Sequence, residues 1–353
     1  MNNKKSVLTI GLIMAFRMLG LFMIFPVFKI AATHLSGHTP LLIGIAVGVY
    51  GLTQACLQIP LGSWSDKFGR KPVIAIGLVL FGIGSIIAAH SSSIYGVIVG
   101  RAIQGMGAIG STSLAFIADI TRDEQRSKAM AIIGMIFGLS FALAIVIAPH
   151  VNATYGLQGI FYLTAIFSAI ALVLLTTLPK SPKWVKPMHQ PAKKYAYILK
   201  NPQLMRLNFS IFAQHAIMVL MFLALPHILH TEIKLAGTQQ TLFYAVILVS
   251  AFFAMVPFII NAEKNRKMKS TMLVSIAVLC CSQLLLLISP AHTMAIGIVL
   301  FLFFTAFTLM ESILPSLVSK AAPLSIKGAA MGVYSTSQFL GIALGGTLGG
   351  LIQ

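Results

Sequence analysis

Apolar residues in this chain come in long, nearly unbroken blocks. They show neither the two-residue alternation of a half-buried strand nor the one-sided stripe of a surface helix. Eleven blocks stand out: 7–28, 41–61, 72–90, 94–118, 129–149, 159–179, 207–228, 241–260, 271–289, 293–318 and 328–352. At 1.5 Å of rise per residue, each matches a hydrocarbon layer of about 30 Å. Backbone groups in lipid must be paired within their own segment, so blocks of this length predict helices. The pattern predicts an all-α membrane protein with short polar connections and one long one, 180–206.

Composition agrees: 58% of the 353 residues are hydrophobic and 9% are charged, more apolar surface than a soluble domain can bury. The formal net charge of +18 alone would suit a nucleic-acid binder, but its placement points elsewhere. All but four of the 25 Lys and Arg lie in the amino terminus or in the connections after the second, fourth, sixth, eighth and tenth blocks. Lys29 and Lys234 fall on the other side, and Arg17 and Arg101 fall inside blocks. By the positive-inside rule the amino terminus is cytoplasmic. The basic charge is then a topology signal with anionic lipid as a partner, and no nucleic acid is expected. The first block follows Lys4-Lys5 as a signal peptide would, yet it is long, holds Arg17 and lacks a small-residue cleavage site. Cys56, Cys280 and Cys281 lie within blocks, with neither a disulfide framework nor zinc spacing, and read as packing residues.

The two halves repeat. Pro26 and Pro60 end the first two spans, and Pro226 and Pro257 occupy the matching ends of the seventh and eighth. Asp66, Lys67 and Arg70 follow Pro60 at the same intervals at which Glu263, Lys264 and Lys267 follow Pro257. Parallel repeats of six spans mark a transporter of two pseudo-symmetric bundles. The expected division is 1–179 for the first bundle, 180–206 for a basic cytoplasmic linker and 207–353 for the second. The linker is read as lying on anionic headgroups, with a short interfacial helix over Tyr195 to Leu199. Two such bundles need twelve spans and this chain shows eleven, so the last span is expected to be missing.

Residues 62–71, Gly-Ser-Trp-Ser-Asp-Lys-Phe-Gly-Arg-Lys, are read as a loop between the second and third spans. Gly62 and Gly69 suit tight turns, Asp66 suits a helix terminus, and Arg70 and Lys71 suit lipid or a carboxylate. This string resembles the Gly-x-x-x-Asp-x-x-Gly-Arg-Arg/Lys loop of the major facilitator superfamily, matching at Gly62, Asp66, Gly69, Arg70 and Lys71. Arg101-Ala102-Ile103-Gln104-Gly105-Met106-Gly107 likewise matches the family's Arg-x-x-Gln-Gly-x-Gly pattern in span 4. The GxGxxG inside that stretch follows no strand, so it reads as helix packing and not as a dinucleotide site. The family's span 5 antiporter pattern ends Gly-Pro-x-x-Gly-Gly. Here Gly134, Gly138 and Ala148-Pro149 remain and His150-Val151 follows, which weakens the argument for export.

Charged and polar residues inside spans are the candidates for chemistry. Glu311 is the only acid within a span, and an intramembrane carboxyl is functional by default. His215 in span 7 is the second titratable candidate, with a packing role as its competing reading. Arg17 lies near the middle of span 1, roughly 15 Å from either face, too deep to snorkel. Arg101, in span 4, is a candidate for proton relay or substrate contact. Tyr50, Gln54 and Gln58 form a polar stripe at i, i+4, i+8, fit for a cavity wall or for interhelical hydrogen bonds. Asp119 is placed to pair with Arg70 and brace one conformational state.

Further blocks resemble a group of bacterial inner-membrane proton-driven exporters within the superfamily: Arg17 to Gly20, Tyr50 to Ala55, Leu309 to Glu311, Leu314 to Leu317 and Met331 to Leu340, the last with Tyr334 and Gln338. The resemblance implies a cavity lined by spans 1, 4, 7 and 10, bearing Arg17, Arg101, His215 and Glu311, with Gln104, Tyr334 and Gln338 beside them. It also implies that the loop around Asp66 stabilises an outward-open state by facing the start of span 11 near Gly328. The leading reading is a monomeric secondary transporter coupled to H+, exporting a small amphipathic compound without cofactor or metal. An importer or uniporter on the same fold is the second reading, and a non-transporting receptor or remnant the third. No HExxH, Walker loop or pair of intramembrane acids supports an enzyme.

Overall fold

A computed structural model describes residues 3–121, 123–179, 191–235, 238–288, 292–323 and 326–352. The described residues form helices α1 (Asn3–Phe22), α2 (Phe28–Ala31), α3 (Pro40–Phe68), α4 (Arg70–His90), α5 (Ile94–Met106), α6 (Gly110–Ile120) and α7 (Asp123–Thr176) in the first half. α8 (Pro191–Lys200) leads into α9 (Pro202–His227), α10 (Thr238–Lys264), α11 (Met268–Ile288), α12 (Thr293–Ala321) and α13 (Lys327–Ile352). Among the described residues, eight helical segments are long and apolar enough to cross a membrane. The eleven expected spans distribute differently. The block 94–118 is divided into α5 and α6, which are 13 and 11 residues long. The blocks 129–149 and 159–179 lie on the two sides of a kink in α7 at Gly156, whose φ of 66° is not helical, so α7 comprises two helical stretches. α13 is long enough, but glycine and polar residues dilute its hydropathy.

Three boundary expectations are corrected. Residues 62–68 are not a loop: α3 runs on through Asp66 to Phe68, and only Gly69, at φ 95°, separates it from α4. A left-handed residue with no Cβ suffices to turn the chain. Pro60 and Pro257 lie inside α3 and α10 instead of ending them. Proline is tolerated in spanning helices because neighbours re-satisfy the freed carbonyl. α9 begins at Pro202, with Asn201 Oδ1 accepting from the Gln203 and Leu204 amides at 3.0 and 3.1 Å. The short helix expected over Tyr195 to Leu199 is present as α8, whose Ile198 is buried. Residues 180–190 of the expected linker and the side chains of the turn before span 5 lie outside the described residues.

Two ends of the bundle can be told apart. The basic end carries Gly69 to Lys71, and the far end carries the α1–α3 connection. There Ser36 pairs with the α4–α5 turn through Ser36 N to Ser92 O at 2.9 Å and Ile94 N to Ser36 O at 3.1 Å. Within the first half α1 and α4 pack on α7, and α5 on α3 and α4. Within the second half α9 packs on α13, and α12 on α10 and α11. The halves meet chiefly where α3 lies against α13, and again where α7 meets α10.

The α3–α13 contact is made backbone to backbone. A Cβ on Gly346 would stand 2.6 Å from the Gly48 nitrogen and 2.7 Å from the Gly44 carbonyl. One on Gly48 would stand 2.7 Å from the Ala343 carbonyl, and one on Gly350 2.7 Å from that of Pro40. The seam spans Pro40 to Gly51 against Phe339 to Gly350, which is the far half of both helices. Towards the basic end the closeness ends: a Cβ on Gly328 or Gly332 of α13, or on Gly134 or Gly138 of α7, would meet nothing within 4 Å. Apolar side chains in lipid gain little from one another, so such close van der Waals packing is what joins spanning helices. Gly346→Ala should cost roughly 1–3 kcal/mol or force the far half apart, whereas Gly332→Ala should be neutral or stabilising by up to about 1 kcal/mol. Thermal unfolding of the purified protein in detergent checks both signs.

Candidate functional site

Two polar clusters lie inside the apolar bundle, one in each half. In the first, Arg17 on α1 reaches across to α3. Its Nη2 donates to the Tyr50 hydroxyl at 2.8 Å and to Gln54 Oε1. Arg101 on α5 approaches Tyr50 as well, with its guanidinium carbon 4.5 Å from the ring centroid. Arg101 Nε donates to the Ala46 carbonyl at 3.3 Å and Nη1 to Gln104 Oε1 at 2.9 Å. Gln104 Nε2 passes the chain on to Ser85 Oγ of α4 at 2.7 Å. The polar stripe continues along α3, with Gln54 Nε2 3.4 Å from Gln58 Oε1. Arg17 and Arg101 are 2% and 0% exposed. Neither contacts a carboxylate among the described residues. Amide and carbonyl acceptors and the faces of Tyr50 and Phe81 partly offset the cost of burying them.

In the second cluster, Glu311 on α12 accepts from Gln214 Nε2 on α9 at 2.9 Å and lies 3.7 Å from His215 Nε2. Gln214 Nε2 also donates to the Phe307 carbonyl at 3.2 Å, one turn before Glu311. A carbonyl only accepts, so the amide nitrogen must be the atom facing α12. The same reasoning places the ring proton of His215. Nδ1 is 3.2 Å from the Ile211 carbonyl, so Nδ1 donates and Nε2 of the neutral ring accepts. Gln338 Nε2 on α13 supplies that donor at 2.8 Å. Tyr334, one turn earlier on α13, is buried in the same half. The Tyr334 hydroxyl and Gln214 Oε1 are buried without a hydrogen-bond partner among the described residues. Atoms in that condition are positions a water or ligand can satisfy.

The structure thus brings His215, Glu311, Tyr334 and Gln338 together and brings Arg17, Tyr50, Gln54, Arg101 and Gln104 together, but as two groups. One link between them is α13: Phe339 follows Gln338, and its ring centroid is 6.3 Å from that of Tyr50. Gln214 was not singled out in the sequence. The available signal was two adjacent polar residues, Gln214-His215, in an apolar helix. A cleft of about 610 Å³ between α10 and α12 is lined mainly by apolar side chains such as Leu242, Phe243, Met294 and Phe301, and lacks ionisable groups.

A third group sits at the basic end. Arg70 pairs with Asp66 four residues earlier and, through Nε at 2.9 Å, with Asp119 Oδ2 at the end of α6. Its Nη1 also donates to Ser65 Oγ at 2.6 Å. The expected Arg70–Asp119 pair is present. Lys71 donates to the Leu178 carbonyl at 2.6 Å, just past the carboxyl end of α7, where a cation opposes the helix dipole. Gly62 faces Ser111 of α6. α8 lies alongside: burial raises the Tyr195 phenol above its ordinary value, and the nearby Asp66 charge adds to the shift.

Comparison with known proteins assigns the class. The sequence profile of the Major Facilitator Superfamily matches residues 10–346, and the chain belongs to that family. It is a multi-pass membrane transporter. It is 43% identical over 347 residues to the inner membrane transport protein YajR of Escherichia coli (strain K12), covering 98% of this chain and 76% of that protein. An uncharacterized transporter of Buchnera aphidicola subsp. Schizaphis graminum is 36% identical over 346 residues, covering 95% and 87%. Among solved structures, a D-xylose-proton symporter superposes with a TM-score of 0.77 at 18% identity, covering 98% of this chain and 89% of that one. An inward-facing bacterial homologue of the lysosomal transporter Spinster gives 0.77 at 14% identity, covering 98% and 81%. These structural likenesses establish the fold.

Arg70 is buried while Asp119 and Asp66 are 24% and 44% exposed, so its pairs fall between buried and surface bridges. A double-mutant cycle of Arg70→Gln with Asp119→Asn should return a coupling of about 1–2 kcal/mol in unfolding free energy. Arg70→Lys, which cannot engage both acids at once, should recover less than half of it.

Proposed function

We propose that this protein is a proton-coupled secondary transporter of the bacterial inner membrane, working by alternating access, with Glu311 and His215 as its proton-exchanging pair. The observation that carries the reading is the second cluster. Glu311, the only acid placed within a span, lies 3.7 Å from a buried histidine and is held by an amide, at the junction of α9, α12 and α13. Such a carboxyl is costly in lipid and repays that cost by binding a coupling ion. H+ is the coupling ion, and no organic cofactor is required. Placement of the Lys and Arg residues supports a cytoplasmic amino terminus and makes the basic end the cytoplasmic one. The seam closed at the far half then corresponds to an inward-facing state. Rocking of the first bundle, 1–179, against the second, 207–353, would open that seam while the Arg70 group braces the cytoplasmic side.

The substrate is a small amphipathic molecule. Arg17 and Arg101, buried without a carboxylate contact among the described residues, favour one with an anionic or zwitterionic group. Export is the preferred direction. It is in keeping with the family relationship to Multidrug resistance protein MdtH of Aeromonas hydrophila, 25% identical over 337 residues. Import is the second reading, favoured by the departure of Ala148-Pro149-His150-Val151 from the antiporter pattern. α8 and the basic linker would rest on anionic lipid, and the working unit is a monomer.

A coupling ion drives transport only if it binds the two states unequally. In inverted vesicles with an acidic interior, a panel of amphipathic anions, zwitterions and cations should include compounds that release protons, read by a pH dye. Glu311→Gln should abolish the release, a loss of at least about tenfold. Substrate-driven proton movement of unchanged size in Glu311→Gln would remove Glu311 from the coupling site. Proton uptake together with substrate would establish the import reading.

A further inference from the structure

The His215–Gln338 contact joins two elements with different tasks. His215 is on α9 and belongs to the titratable pair, whereas Gln338 is on α13, the helix that forms the seam with the opposite half. α13 is held on both sides by close backbone packing. Towards α9, a Cβ on Gly345 would stand 2.5 Å from the Ala216 carbonyl, and towards α3 one on Gly51 would stand 2.5 Å from the Phe339 carbonyl. Gln338 and Phe339 are neighbours in sequence, so one touches the histidine and the next touches α3 and Tyr50.

The chemistry of the contact depends on one proton. With Nδ1 donating to Ile211, Nε2 accepts from Gln338 only while the ring is neutral. A proton taken up from solvent at Nε2 turns that nitrogen into a donor, and two N–H groups 2.8 Å apart oppose each other. Either the Gln338 amide turns to offer its oxygen, or the ring moves towards Glu311, 3.7 Å away. The first outcome reverses the direction of the His215–Gln338 bond and the second breaks it, so the proton changes the polar contact of α13 with α9 beside the glycine packing at Gly341 and Gly345.

The groups facing the ring are few. Glu311 comes from α12, as does the Phe307 ring at 5.6 Å between centroids, and Gln338 comes from α13. Tyr334, one turn before Gln338 on α13, is buried, and its hydroxyl bonds to neither member of the pair among the described residues. α2 and α8 also pack on α9, but neither bonds to the pair among the described residues.

We infer that Gln338 is a positioning residue that reads the protonation of His215 into α13 and so couples the proton site to the seam between the halves. It binds neither proton nor substrate in this role and acts through His215. The inference rests on the proton-coupled reading above and names the route by which the proton reaches the moving interface.

The test needs no substrate. The full chain, with Cys56→Ala, Cys280→Ala and Cys281→Ala, is spin-labelled in nanodiscs at two pairs of exposed positions: Lys67 with Lys269 at the basic end, and His38 with Gln239 at the far end. Distance distributions are recorded by double electron–electron resonance from mildly acidic to mildly alkaline pH. The unsubstituted site should show populations that change with pH, and Glu311→Gln and His215→Leu should each flatten the response. Gln338→Leu should flatten it as well, to less than a third of its amplitude, while infrared difference spectra retain the titrating carboxyl band that Glu311→Gln removes. In a His215→Leu background, Gln338→Leu should add nothing. If Gln338→Leu does not fold, as judged by thermal unfolding, Gln338→Met replaces it. A pH response that survives in the Gln338 variants but is lost in Glu311→Gln overturns this inference alone. A carboxyl band lost in Gln338→Leu also overturns it, because the residue would then act on the proton site itself. No pH response at the unsubstituted site overturns both this inference and the proton-coupled reading.

Discussion

The close approach of α3 and α13 is the constraint on which the arrangement of the molecule depends. Helices surrounded by lipid gain little from burying apolar side chains against each other, so the halves need dense contact or hydrogen bonds to associate. Gly44, Gly48 and Gly51 on one side and Ala343, Gly346 and Gly350 on the other let backbone meet backbone without intervening side chains. The same helix uses Gly341 and Gly345 to lie against α9. α13 is therefore a thin element pressed between the halves, and its place determines which polar residues can meet. Phe339 comes to Tyr50 and Gln338 to His215 because the glycines on either side leave no slack.

Electrostatics follow from that packing and from scarcity. Seven carboxylates face 25 Lys and Arg, so acids are placed sparingly. Asp66 and Asp119 gather around Arg70 at the basic end, where partial exposure keeps the cost of burial low. Glu311 stands alone in the interior, supported by Gln214 and near His215. The two buried arginines have no acid in contact among the described residues and are held by Tyr50, Gln54, Gln104 and a backbone carbonyl. Neutral amides and a phenol thus do in the first half what a carboxylate would do in a soluble core. They offset the burial of the two guanidinium groups without neutralising their charge.

Much of this was readable along the chain. Apolar blocks of spanning length, cations on alternate connections and the matched intervals after Pro60 and Pro257 are local or periodic properties that survive without coordinates. Most residues of both clusters were also readable, because a charge or amide in an apolar block is conspicuous. Boundaries were less so. Proline looked like a terminator at positions 60 and 257, yet lipid-embedded helices run through it. The stretch 62–68 looked like a loop because of its glycine and charges, yet only Gly69 leaves helical geometry, since only there does φ turn positive. Gln214 went unnoticed because its importance lies in facing Phe307 and Glu311 nearly a hundred residues away.

The sequence by itself determined that this is a helical membrane protein of the major facilitator type, with one acid and a handful of cations and amides in its interior. Hydropathy, charge order and repeat spacing act along the chain and need no partner to be seen. Only the tertiary structure decided that the four expected cavity residues divide between two clusters, that His215 accepts at Nε2, and that the closest backbone approach of the halves lies in the far half of α3 and α13. Hydrogen-bond direction and backbone approach depend on which atoms lie within about 3 Å. That is settled by how helices pack across the bundle and not by their order in the chain.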